Sequence, residues 1–312
     1  MSQLGYACIN MHLSDLPKSQ RVTTNRSMIK RTFQERGLPY ASELALANCR
    51  DLLTVLKWNE QHDIRFFRLS SDLFPWSSEY QLSDLPDYDA ICDALMDAGD
   101  FAYDHCHRIT THPGPFNVLG SLNPDVVTKT IKELDTHAEI FDMLGLPTTP
   151  HAKINIHVGG AYGEHDKALA RFCKNFKRLT HSAQSRLTVE NDDKPNLYST
   201  KMLYEGVHKQ IGIPIVFDSH HFECGPQDVD YEESLLMAID SWPKGITPVC
   251  HHSNSKQLYE NPKVMINAHS DWYYEPFNDC GFSLDVVLEC KKKELALLKY
   301  REDFVEDAIL AA

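Results

Sequence analysis

The 312-residue chain lacks several features that would place it in a class at once. No apolar run approaches the ~18 residues of a membrane-spanning helix, so no membrane segment is expected. Its opening, MSQLGYACIN, has neither the basic region nor the long apolar core of a signal peptide. The nine cysteines are scattered between Cys8 and Cys290, and none forms a CxxC pair. That spacing argues against a zinc ribbon and fits reduced thiols better than a disulfide framework. No linker rich in Pro, Gly or Ser, no low-complexity tract and no strong repeat divides the chain. One domain over residues 1–312 is therefore expected. Positive charge is also short, with 31 Lys+Arg against 44 Asp+Glu and a formal charge of −13. That sign excludes a basic protein that coats nucleic acid indiscriminately. Together these absences lead us to expect a monomer working in the cytoplasm, or in the nucleus of a eukaryotic host.

Histidine is plentiful, at 16 residues. Apolar residues make up 42% and aromatics 10%, enough for a sizeable core. Eight short β-branched runs end in polar residues, at 4–10, 64–70, 109–114 and 154–160, then 186–191, 213–221, 246–253 and 283–290. Helical periodicity fills the gaps. Leu46, Cys49, Leu53 and Leu56 share one face, as do Val127, Ile131, Leu134, Ala138 and Phe141, and Leu169, Phe172, Phe176 and Leu179. Asn123-Pro124 reads as a helix cap followed by a first-turn proline. Strand ends recur about every 40 residues, which suits a single (β/α)8 TIM barrel. Residues 14–40, 222–230 and 254–272 read as long loops, a frequent place for function.

The strand ends carry the chemistry. The third predicted strand ends at His112, the fourth at His157, the fifth at Glu190, and the sixth at Asp218 and His221. The seventh ends at His251 and the eighth at Glu289, with His269 in the loop between them. In a barrel these ends converge on the C-terminal face. Carboxylates gathered there cannot all stay ionised without cations. A mixed imidazole and carboxylate set suits Mn²⁺, Zn²⁺ or Fe²⁺, with ligands enough for two or three ions. One histidine at one strand end is more often structural than a ligand; six consecutive strands ending in ligand types make the case. Strand alternation turns His220 and His252 away from the pocket. His105, His107, His151 and His165 are expected to face solvent.

These residues fall within motifs that resemble the UV damage endonucleases. THPG at 111–114, HVGGAYG at 157–163, TVEND at 188–192, FDSHH at 217–221 and VVLECKKKE at 286–294 carry the resemblance. LGYACIN at 4–10, TTNR at 23–26 and FRLSSDLFP at 67–75 extend it over nearly the whole chain. The resemblance implies a TIM barrel related to endonuclease IV, with a divalent metal cluster at the C-terminal face. Manganese is the first choice, with zinc, magnesium or cobalt as alternatives. It implies a nick immediately 5′ to a UV photoproduct, and in some members at abasic sites, leaving a 3′-hydroxyl and a 5′-phosphate. Damaged double-stranded DNA would be the partner. By motif, Glu190, Asp218, His251 and Glu289 would hold one ion. His112 and His157, with Glu190 bridging, would hold a second, and His221 and His269 a third. Glu190, Asp218 and Glu289 are the implied catalytic residues. Tyr6 and Asn10 would line the damage pocket, and Pro115 and Phe116 would probe the lesion.

Two positions depart from the family pattern. Pro115-Phe116 replaces a Gln-Tyr type of pair, keeping a ring that can intercalate but losing a hydrogen-bonding side chain. Val249 stands where members can carry a modified lysine, which favours two ions over three. Arg21, Arg26, Lys30 and Arg31 form a basic patch suited to phosphates. Lys291–Lys293 read as a solvated face, and Trp272, Tyr273 and Tyr274 as rim packing or a stacking surface. Gly159-Gly160 suits either a tight turn or close approach of a phosphate. Two other readings stand beside the nuclease. Sugar isomerases also gather His, Asp and Glu at barrel strand ends, and a damage-binding protein could have lost efficient cutting.

Overall fold

The structure, a computed structural model, describes residues 3–306. Eight short parallel strands form a closed barrel in chain order. They are β1 (Leu4–Ala7), β2 (Phe66–Leu69), β3 (Arg108–Thr111) and β4 (Ile154–Ile156). Then come β5 (Leu187–Glu190), β6 (Ile215–Asp218), β7 (Val249–His252) and β8 (Asp285–Leu288). Strand β8 pairs with β1, Gly5 opposite Val287, which leaves no sheet edge. All eight predicted strands exist, and all are shorter than the runs that announced them. Past each strand end the backbone leaves the ladder to shape the barrel mouth. His112, His157 and Glu289 therefore lie one residue beyond their strands.

The sixth strand differs most from expectation. It ends at Asp218, whose carboxylate accepts from the backbone N–H of His221 at 2.8 Å. That bond caps a short helix, Ser219–Cys224, so His221 is helical and not extended. The expected loop at 14–40 is also shorter, because a helix runs Lys30–Gln61. It breaks at Gly37, whose φ of 62° is followed closely by Pro39. Beyond the break Ala41, Ala45, Cys49, Leu52 and Leu56 are fully buried at spacings of three and four.

Other expectations hold. Asn123 Oδ1 accepts from Asp125 N at 2.9 Å at the start of the Pro124–Met143 helix. Such a cap contributes ~1 kcal/mol. Leu169, Phe172 and Phe176 line the buried face of the His165–Phe176 helix, while Leu179 is buried just past its end. All nine cysteines are free thiols. Among the described residues no helix is long and apolar enough to cross a membrane.

The barrel interior sets the height of the site. Ala7, Phe66, Val216, Val249 and Val287 come from β1, β2, β6, β7 and β8, and they pack as one cluster. These five strands are consecutive in the closed barrel, and Phe66, Val216, Val249 and Val287 lie two positions before Arg68, Asp218, His251 and Glu289. The period of two then sends Arg68, Asp218, His251 and Glu289 inward one step higher. Below them Arg108 passes over the rings of Phe66 and Trp242 and pairs with Asp285 at 2.6 Å. The guanidinium also donates to Thr247 O and His151 O. A buried ion pair broken on one side leaves a bare charge and costs ~3–5 kcal/mol. Asp285→Ala should therefore lower unfolding stability by about that amount in urea titrations, with Arg108 left unpaired.

Candidate metal centre

Interior alternation brings the strand-end residues around one carboxylate. Glu190, at the end of β5, is 1% exposed and lies at the centre. His112 Nε2 is 3.1 Å from its Oε2, and His251 Nδ1 and His221 Nδ1 are 3.1 and 3.3 Å from its Oε1. His157 Nε2 approaches Oε2 at 3.9 Å. Asn155, two residues before His157 on the same inward register, donates to Oε2. Glu289 Oε1 reaches His251 Nδ1 at 3.0 Å and accepts from Arg68.

Two groups have donor atoms within 4.8 Å of one another, close enough to share an ion. One is His112, His157 and Glu190; the other is Glu190, Asp218 and His251. The second holds three of the four residues of the first set implied by the motifs, without Glu289; the first coincides with the second implied set, and Glu190 is common to both. Asp218 Oδ2 is buried without a hydrogen-bond partner, an atom that a cation would satisfy. His269 is more peripheral, its ring 6.3 Å from that of His221. Val249 packs in the apolar floor, so no bridging group rises from that position.

His112, His221, His251 and His269 each have a ring nitrogen held by a protein group, and His157 lies against a carboxylate. His112 Nδ1 donates to Pro113 O at 3.1 Å, and His221 Nδ1 to Asn191 O at 3.0 Å. His157 Nδ1 lies 3.1 Å from Asp192 Oδ1, and His269 Nδ1 pairs with Ser253 Oγ at 2.7 Å. His251 is held from the other side, its Nε2 being 3.0 Å from the buried Lys153 Nζ. Anchoring one ring nitrogen fixes the tautomer and aims the other, as metal-binding histidines require.

The charges fit the same picture. Burial alone would raise the Glu190 carboxyl, but His251, His112 and His157 outweigh it and hold it well below the usual range. Glu289 is likewise lowered against burial, by Arg68 and His251. Burial opposes protonation of His157, yet Asp192 and Glu190 push it up to about 10. Burial lowers His112 and His269 to about 4, and Lys153 to about 7. In the metal-free pocket, protons on some imidazoles supply part of the positive charge that the carboxylates need.

Tyr6 does not line the mouth: it is fully buried, with its hydroxyl donating to Asn59 Oδ1 at 2.7 Å and accepting from Asn10 Nδ2 at 3.0 Å. Asn10 Oδ1 in turn caps the Met11–Ser14 helix through Leu13 N. Their polar atoms are committed to fixing the first loop, so neither has one free for a lesion. His107, expected in solvent, is buried with Nε2 2.9 Å from Glu60 Oε2. Within the expected basic patch, Arg26 is tied down by Asp51 at 2.6 Å and Thr23 O at 2.7 Å. His220 and His252 stay outside the Glu190 cluster. His252 is held by Ser219 Oγ at 2.7 Å and Glu275 O at 3.1 Å, and Tyr273 packs on its ring. Gly159 has a φ of 98°, and a Cβ there would lie 2.5 Å from Val118, so packing requires that glycine. Pro115 and Phe116 are both exposed on the turn after His112, Phe116 at 88%.

Arg68, Lys153, Asn155 and Asp192 were missed in the sequence. Each lies on an inward register or beside a ligand, but residue type gave no cue. Asp192 had the best signal, two residues after Glu190 in the VEND segment.

With this geometry in view, comparison with known proteins decides the family. Residues 2–309 match the family described as UV-endonuclease UvdE. The chain belongs to the UvdE family. A UV-damage endonuclease of Schizosaccharomyces pombe is 32% identical over 305 residues, covering 95% of this chain and 50% of that protein. The chain thus spans about half the length of that relative. A UV DNA damage endonuclease of Bacillus thuringiensis is 30% identical over 311 residues, covering 96% of this chain and 94% of the relative. The crystal structure of SacUVDE superposes with a TM-score of 0.82 at 27% identity, over 98% of this chain and 99% of that one. A D-tagatose 3-epimerase-like protein shares the barrel alone, at a TM-score of 0.54 and 14% identity.

Asp192→Asn should remove the main partner that keeps His157 protonated. The His157 pKa should fall from about 10 toward the ordinary imidazole value, measured by NMR titration of the metal-free protein.

Proposed function

We propose that this chain is a divalent-metal-dependent endonuclease that nicks duplex DNA immediately 5′ to UV photoproducts, leaving a 3′-hydroxyl and a 5′-phosphate. The observation that carries this reading is the buried Glu190 carboxylate, ringed by imidazoles, with His112 and His251 held by the protein through their second nitrogens. The names of the family and of its curated relatives support the DNA substrate. The enzyme acts as a monomer wherever the cell keeps its DNA.

The donor set suits two ions, with manganese the first choice. Glu190, Asp218, His251 and Glu289 would hold one, and His112, His157 and Glu190 the other. His221 and His269 remain for a third. Bound there, the ions would neutralise the scissile phosphate, lower the pKa of a water nucleophile and stabilise the leaving 3′ oxygen. The chain's own groups prepare that chemistry. Asp192, Pro113 O and Asn191 O set the rotation of His157, His112 and His221. Arg68 holds Glu289 in place while His251 faces it. Asn155 steadies Glu190 from the barrel wall.

Phe116 is 88% exposed on the turn after β3, four residues after His112. An exposed ring on a proline-flanked turn is suited to enter a base stack that a photoproduct has already weakened. Pro115 adds stiffness but no side-chain hydrogen bond, so recognition rests on shape and stacking. A damage-binding protein without cutting activity would have little use for three carboxylates kept together in a ligand-like array. A sugar isomerase shares the barrel but has no need for an exposed ring at the mouth.

The test uses end-labelled duplexes with a cyclobutane dimer, a 6-4 photoproduct, an abasic site or no lesion, each with Mn²⁺. A nick 5′ to the photoproducts is expected, and its absence overturns the reading. Glu190→Ala should reduce nicking by at least about a thousandfold while DNA binding persists, since both ions lose their shared ligand. Phe116→Ala should leave metal binding unchanged and reduce the preference for damaged over intact duplex about tenfold, read by competition binding.

A further inference from the structure

Phe116 is an exposed apolar side chain on a loop at the barrel mouth that carries the candidate metal centre. In a closed barrel numbered in chain order, β7 lies four strands from β3 and so directly across the mouth. The loop after β3 carries Phe116. The loop after β7 carries Met265 and Ile266, 73% and 41% exposed. The two tips lie at equal chain distances from a candidate ligand. Phe116 follows His112 by four residues, and Met265 precedes His269 by four. At no more than ~3.6 Å per residue, each tip lies within about 14 Å of its candidate ligand. A duplex seated on the cluster spans that distance.

The β7 loop is braced. Ser255 and His269 form an antiparallel bridge at its base, and Lys256 N donates to Ala268 O at 2.7 Å. Ser255 Oγ donates to Ile266 O and Gln257 Nε2 to Val264 O, both at 2.6 Å. Met265 O accepts from Ala268 N at 3.0 Å, which tightens the tip itself. Asn267 Nδ2 donates to Asp193 Oδ2 at 2.5 Å, latching the loop beside Asp192, the residue that orients His157. Thus Met265 and Ile266 are held out in water on an ordered support. Left there they gain nothing; burying one such side chain is worth ~1.5–3 kcal/mol. Met and Ile are wedge side chains, able to part a base step without hydrogen bonds. The adjacent Lys263 is exposed and can meet a phosphate. A ligand that covers this tip from the mouth also covers the metal centre, which makes DNA its occupant.

We propose that Met265 and Ile266 form a second apolar wedge, entering the damaged duplex from the side opposite Phe116, so that two wedges hold the lesion over the metal centre. This inference rests on the endonuclease reading above. It explains how a −13 chain could prefer distorted DNA, because both wedges act only where stacking is already weak.

The test compares the full-length wild-type protein with Met265→Ala/Ile266→Ala and with Met265→Leu/Ile266→Leu. The probe is a duplex with one cyclobutane dimer and 2-aminopurine placed on either side of it. The alanine pair should bind this duplex about tenfold more weakly and lose the fluorescence rise on one side only. Its affinity for undamaged duplex and its thermal unfolding should match the wild type, and the leucine pair should retain binding. Nicking by the alanine pair should recover when the strand opposite the dimer carries a gap, because that substrate is already open. Unchanged affinity and fluorescence on the dimer duplex overturn the wedge. Equal losses on damaged and undamaged DNA also overturn it, as does loss of self-association in sedimentation with DNA affinity unchanged. If the wild type itself neither binds nor nicks the dimer duplex, the endonuclease reading falls first, and that result is distinct from failure of the variant alone.

Discussion

A carboxylate almost wholly removed from water organises this protein. Glu190 stays ionised only because imidazoles surround it, and burial works against it throughout. The surrounding rings must therefore be numerous, close and correctly turned. Every neighbouring feature follows from that need. Asp192 turns His157, Pro113 O turns His112, and Asn191 O turns His221. Arg68 neutralises Glu289, which would otherwise add a second uncompensated charge beside Glu190. The same array that steadies a lone carboxylate with protons is suited to steadying it with divalent cations.

The barrel makes that crowding affordable. Strands β3 to β8 each bring a ligand-type side chain, at or just past the strand end, to one mouth of the barrel. Beneath them the interior changes character by layers. An apolar layer of Phe66, Val216, Val249 and Val287 separates the upper charges from the Arg108–Asp285 pair below. Lys153, fully buried, reaches upward to His251 and belongs to the site rather than to the floor. The charges are thus segregated along the barrel axis, with apolar packing between them to keep each set to its own partners.

Around the mouth, charge gives way to shape. The chain is acidic in total, and in the segment after β1 Arg26 is tethered to Asp51 while Arg21, Lys30 and Arg31 stay exposed. The exposed Phe116 and the braced Met265–Ile266 tip belong to the loops that follow two opposite strands, β3 and β7. On the two-wedge proposal, discrimination would rest on what such side chains can push between bases. Long-range attraction, which treats all DNA alike, contributes less.

Much of this was written in one dimension. The alternation of β-branched runs with helical periodicity determined the eight units, and ligand-type residues at consecutive strand ends pointed to His112, His157, Glu190, Asp218, His251 and Glu289. Those signals are local, because the period of a strand and the place where it stops are local properties. Three kinds of fact needed the folded chain. The helical turn at Ser219–Cys224 depends on the Asp218 cap, which competed with a strand pattern running on to His221. Tyr6 could have faced either way, and the packing of the Lys30–Gln61 helix through Asn59 turned it outward from the barrel. The partners Arg68, Lys153 and Asp192 are ordinary charged residues in sequence. Only closure of the barrel, which brings positions more than a hundred residues apart within hydrogen-bond reach, gives Arg68 to Glu289 and both to the same pocket. Sequence by itself determined which residues could ligate; tertiary structure decided which way they point, because orientation is set by contacts that no short stretch of chain contains.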